Sequence, residues 1–63
     1  MFDPNKLVAL RKAAGKSQRA LAMDAGVSQA LIAELERGKH PPSTASLAKI
    51  CAALEIDTAQ LND

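Results

Sequence analysis

Aromatic volume is nearly absent from this chain: there is no tryptophan or tyrosine, and Phe2 is the only phenylalanine among 63 residues. Packing must therefore rest on Leu, Ile and Ala. One cysteine, Cys51, excludes an internal disulfide, and together with the single histidine, His40, it gives no spacing that would hold a metal. A reducing, intracellular setting fits this cysteine usage. No apolar run approaches the roughly 18 residues of a membrane span. The opening Met-Phe-Asp-Pro-Asn-Lys lacks the basic flank and apolar block of a secretion signal. The cytoplasm, or the nucleoid within it, is the expected location. A chain this short makes one domain, 1–63, with a modest helical core.

Excess charge is also missing, since the net charge is +1. Its distribution is uneven. Through His40 the basic residues Lys6, Arg11, Lys12, Lys16, Arg19, Arg37 and Lys39 face only Asp3, Asp24, Glu34 and Glu36. After it, Lys49 stands against Glu55, Asp57 and Asp63. The positive part belongs to the first two thirds of the chain, as an electrostatic footprint for a polyanion would.

Helical punctuation fills the rest. Asp3-Pro4 reads as an N-cap with proline at the first helical position, and the pattern carries Leu7 and Leu10 inward, with Ala14 closing the stripe before Gly15. Ser17 caps a second helix from Gln18 to Ala25, and Ser28 a third that runs to Arg37 and stops at Gly38. Pro41-Pro42 forbids helix and makes an extended connector. Ser43 or Thr44 opens a fourth helix with Leu47, Ile50, Cys51 and Leu54 on one side, and Asp57 caps a last short turn through Leu61. Nothing alternates with a period of two, so the fold is expected to be all-α. The expected core is Leu7, Leu10, Leu21, Ala22, Val27, Ile32, Leu35, Leu47, Ile50, Leu54, Ile56 and Leu61, with Cys51 on the same apolar stripe and Met23 filling a gap or partly exposed.

Within this series, residues 18–37 say most about function. Leu21, Ala25, Val27, Ile32 and Leu35 fall on inward positions, Ala22 is small where two helices would cross, and Gly26 sits where a left-handed turn is needed. That is the pattern of a helix-turn-helix, whose second helix can enter a DNA major groove. Other chemistry is poorly provided for. Gly15-Lys16-Ser17 would need a glycine five positions before Gly15 to make a phosphate loop, and Leu10 is there. No nucleophile–base set or carboxylate pair can be assembled, so no enzyme, cofactor or small-molecule substrate is expected.

The segments Leu-Arg-Lys-Ala-Ala-Gly-Lys-Ser-Gln (10–18), Leu-Ala-Met-Asp-Ala-Gly-Val-Ser (21–28), Ile-Ala-Glu-Leu-Glu-Arg-Gly-Lys (32–39) and Pro-Ser-Thr-Ala-Ser-Leu (42–47) together resemble the Cro/repressor (XRE-like) family of bacterial and phage DNA-binding domains, over about residues 7–61. The resemblance implies a five-helix, lambda-repressor-like domain that binds double-stranded operator DNA, usually a palindrome, as a homodimer, with the dimer surface around Ile56 to Leu61. It implies that Ser17, Gln18 and Arg19 meet a phosphate at the start of the second helix. Ser28, Gln29 and Ala30 would open the recognition helix, with Leu31, Ala33 and Glu34 on its outward face. Arg37, Lys39 and His40 would border the backbone, and Arg11 and Glu36 would form an ion pair tying the first helix to the end of the third.

Two departures matter. The outward face carries Ala30, Leu31, Ala33 and Glu34 where family members often have polar or basic residues, leaving Gln29 as the one good bidentate partner for adenine. Glu34 has two readings, a base contact to cytosine or a surface pair with Arg37 at i+3. Glu55 stands where the fourth helix commonly ends in glycine, which puts a side chain in a strained turn. A transcription regulator, acting as a repressor, is the leading expectation. A helical interaction module or antitoxin-like protein that has kept the fold with little or no DNA binding is the alternative.

Overall fold

In the computed structural model, which describes residues 1–63, every α-helix starts where a short polar side chain precedes it. Helix α1 spans Pro4–Ala13, α2 Gln18–Ala25, α3 Gln29–Glu36 and α4 Thr44–Leu54. Asp3 accepts from the Asn5 N–H at 2.9 Å, and Ser17 from the Ala20 N–H at 3.0 Å. Ser28 accepts from the Leu31 N–H at 3.0 Å and Ser43 from the Ser46 N–H at 3.1 Å. Each bond satisfies one of the first-turn donors that a helix cannot pair internally. Ser43, rather than Thr44, is the cap of α4.

The helices end as abruptly as they begin. Gly26 takes φ +71° after α2, and the Val27 N–H then bonds back to the Ala22 carbonyl at 3.0 Å. This left-handed closure turns the chain within three residues and delivers Ser28 to the start of α3. Glu55 closes α4 the same way, with φ 57° and the Ile56 N–H on the Cys51 carbonyl at 3.0 Å.

Four α-helices form, not five. The last helical segment, Thr58–Leu61, is a single 3-10 turn. Four residues between Asp57 and Asn62 are too few for an α-helix to establish its bonding pattern, and the Asp57 N–H is instead taken by Gln60 Oε1 at 3.0 Å. No strand is present. An isolated antiparallel bridge joins Phe2 to Asn62, and the ends lie side by side through Asp3 N–H to Leu61 O at 2.7 Å and Asp63 N–H to Met1 O at 3.0 Å. That pairing has no signature in the alternation of the sequence.

Helix α2 packs on both α3 and α4, while α1 packs on α3 and on the 3-10 turn. The buried centre comprises Leu7, Leu21, Ala22, Ala25, Ile32, Leu35, Ile50, Cys51, Leu54 and Leu61. Leu10, Val27, Leu47 and Ile56, expected inside, are only half-buried against it. Val27 and Ile56 lie in the turns after α2 and α4, and in so small a bundle such rim positions stay partly open. Ala14 is exposed, because α1 ends at Ala13 and Ala14 is its cap. Met23 is 72% exposed on α2, so it fills no gap. Burial, with Asp57 adding to it, pushes the Cys51 thiol up, and a buried neutral thiol packs as a small apolar group.

Candidate nucleic-acid interface

Helix α3 is anchored on one side by Ile32 and Leu35, both fully buried. Its opposite side carries Ala30, Ala33, Glu34 and Arg37, a strip at the spacing of one helical face, and Gln29 stands exposed beside it in the first turn. Gln29, Ala30 and Arg37 are exposed, whereas Ala33 and Glu34 are half-buried. Leu31, expected on the outward face, is half-buried and packs against the core cluster. One residue along from Ala30 the helix has already turned by about 100°, enough to carry Leu31 onto the flank.

Two helix starts stand on this part of the molecule. Ser17 takes the Ala20 N–H and leaves those of Gln18 and Arg19 without protein partners. Ser28 takes the Leu31 N–H and leaves those of Gln29 and Ala30 likewise. Free N–H groups at the positive end of a helix dipole suit an anion. Arg19, Arg37 and Lys39 are exposed and carry no acidic partner.

Beneath them lies a polar tie. Arg11 donates from Nε to Glu36 Oε2 at 2.6 Å, from Nη2 to Glu36 Oε1 at 3.1 Å, and from Nη1 to the Lys16 carbonyl at 2.9 Å. Gln18 Nε2 adds a 2.9 Å bond to Glu36 Oε1. The two charged side chains are only 11% and 7% exposed. Burial pushes the Glu36 carboxyl up, but the bonds from Arg11 and Gln18 outweigh it and bring the group below the usual glutamate range. The Arg11 guanidinium is raised by the bond to Glu36, against the opposing effect of burial. One fork thus links α1, the turn after it, the start of α2 and the end of α3. Gln18, expected to offer its side chain to a phosphate, has one amide N–H already given to this tie.

Two pairings escape any reading of the sequence. Lys16 is bonded to Asp24, which removes it from the free cations. His40 Nε2 lies 3.2 Å from Glu34 Oε1, and His40 Nδ1 3.1 Å from the Pro41 carbonyl. Glu34 therefore faces His40, and the alternative pair with Arg37 does not form. The cause is the turn at Gly38, φ +74°, where the Lys39 N–H bonds to the Glu34 carbonyl at 3.1 Å and the chain folds back over the last turn of α3. His40 also borders a shallow cleft of about 280 Å³ shared with Met1, Phe2, Pro4 and Pro41. No three His, Cys, Asp or Glu side chains come together, and no helix is long and apolar enough to cross a membrane.

Residues 7–61 match the helix-turn-helix family. Among curated proteins, the chain is 41% identical over 54 residues to the HTH-type transcriptional regulator SlrR of Bacillus subtilis, covering 84% of this chain and 36% of that protein. Among solved structures, it resembles the restriction-modification controller protein C.AhdI from Aeromonas hydrophila, with 33% identity, a TM-score of 0.88, and 92% of this chain on 88% of that one. An HTH_3 family transcriptional regulator from Vibrio cholerae superposes with a TM-score of 0.86 and 40% identity, over 92% of this chain and 33% of that chain. SlrR and the Vibrio protein are thus much longer than the segment they share with this sequence, whereas C.AhdI is nearly the same size. By the span of the match and by its helices, this chain belongs to the helix-turn-helix family.

Proposed function

We propose that this chain is the sequence-specific DNA-binding domain of a transcription regulator, acting as a repressor inside the bacterial cell. The observation that carries this reading is the outer strip of α3, with Gln29 exposed in its first turn, on a helix fixed from behind by Ile32 and Leu35. In this reading residues 7–61 are one lambda-repressor-like domain, with the reading motif over about 18–37. Gln29 pairs with an adenine edge, Glu34 accepts from cytosine, and Ala30, Leu31 or Ala33 meets a thymine methyl. The free N–H groups of Gln18 and Arg19, the cap at Ser28, and the side chains of Arg19, Arg37 and Lys39 hold phosphates, which set register and most of the affinity. His40 stands at the border of the same surface.

So few base contacts call for a second copy. Two chains related by a two-fold axis, joined around Ile56 to Leu61, would read a palindromic operator with half-sites about 34–36 Å apart. The names of SlrR and C.AhdI, both regulators, support this assignment. It gives the chain no reaction to catalyse and no cofactor.

Selection from a random duplex pool tests the proposal, with enrichment of a palindrome as the expected result. Gln29→Ala should then weaken the selected site by about 1–3 kcal/mol and leave nonspecific binding nearly unchanged. Equal losses on both would remove Gln29 from base reading. Absence of any duplex binding at low salt would turn the assignment toward a helical protein-interaction module.

A further inference from the structure

His40 is the only histidine in the chain. Both of its ring nitrogens are aimed at acceptors, Nε2 at the Glu34 carboxylate and Nδ1 at the Pro41 carbonyl. A neutral imidazole has one N–H and can donate to only one of these oxygens, whereas the imidazolium can donate to both. The hydrogen bond to the Pro41 carbonyl raises the His40 pKa, and the Glu34 carboxylate raises it further. Lys39, next in the chain, opposes protonation. Met1 lines the same cleft, and its amino group lies 3.6 Å from the Asp63 carboxylate. Glu34 is the only acidic side chain bonded to the ring, and it belongs to the outer strip of α3.

We propose that His40 is a proton-controlled positioning residue for Glu34: with its proton it holds and neutralises the carboxylate at the edge of α3, and without it Glu34 is released as a bare negative charge on that face. The structural half of this stands on the pair itself. The consequence for DNA rests on the function proposed above. There, a protonated His40 removes the one charge on α3's outer strip that repels phosphates, and loss of the proton restores that repulsion. Since the folded pKa is raised, the contact is complete in mild acid and disappears as pH rises through the histidine range and beyond it.

NMR titration of the full chain decides the pair without DNA. The His40 ring should titrate above the ordinary value of about 6.5 in the parent protein and fall toward it in Glu34→Gln, while the Glu34 side-chain carbon shift steps at the His40 midpoint. Identical His40 titration in both proteins would overturn the proposal, whatever DNA does. Binding to the selected duplex at low salt reads the consequence. Parent affinity should fall about three- to tenfold between about pH 6 and about pH 8.5, where a shift of one pKa unit on binding corresponds to about tenfold in affinity. Both Glu34→Gln and His40→Gln should show a flat profile. A slope that persists in Glu34→Gln would mean that His40 touches phosphate directly, and a flat parent profile that the proton does not govern the face; either result overturns the control of Glu34. Failure of every variant to bind any duplex would sink the DNA reading instead, with the NMR arm still deciding the pair.

Discussion

At the scale of single residues, Glu55 carries the clearest local conflict. It is the only residue other than glycine at positive φ, and left-handed backbone costs a side chain about 1–2 kcal/mol. Glu55→Gly should raise stability by about 0.5–1 kcal/mol, once the extra freedom of glycine in the unfolded chain is offset. Urea denaturation checks this, and an unchanged or lower midpoint would show that Glu55 is held without strain. The position was readable beforehand, because a helix that stops needs such a turn and the sequence offers no glycine there. Side-chain partnerships were far less legible. Glu34 with His40 and Lys16 with Asp24 depend on how the Gly38 and Gly15 turns aim the chain, and no periodicity encodes that aim. Leu31 illustrates the same limit: it sits on the flank of α3, where a rotation of a few tens of degrees separates core from surface.

Between elements, the decisive object is the Arg11–Glu36 fork. Its residues are 25 positions apart, so nothing local announces it, and only the family resemblance pointed to the pairing. Helix boundaries were legible for the opposite reason, since Ser17, Ser28 and Ser43 each bond within three residues of themselves. Arg11→Met should destabilise the protein by about 3–5 kcal/mol, because Glu36 would remain buried without its counter-charge. Removing both charges together, as in Arg11→Met with Glu36→Leu, should recover much of that loss. Chemical denaturation of the single and double variants measures the coupling. Strictly additive losses would show that the two side chains stabilise the bundle separately.

For the molecule as a whole, the same carboxylate sets an acid limit. Glu36 is held below its ordinary pKa of 4.5, so its contribution is present at neutral pH and is lost as pH falls through the depressed folded value. Thermal unfolding followed from neutral pH down into the range below about pH 4 should show a falling midpoint. Glu36→Gln should be less stable at neutral pH and flatter across the acid range. An equally steep acid profile in that variant would assign the sensitivity to other carboxylates. Six fully buried aliphatic side chains make up the heart of this bundle, so a change of a few kcal/mol is a large part of its total stability.

The pairing of Phe2 with Asn62 brings the chain's two extremities edge to edge. A short peptide splice would therefore close the backbone into a ring without moving a helix. Such a circular form has fewer open conformations to lose when it folds, so it would resist heat better while every contact in its interior stayed as it is.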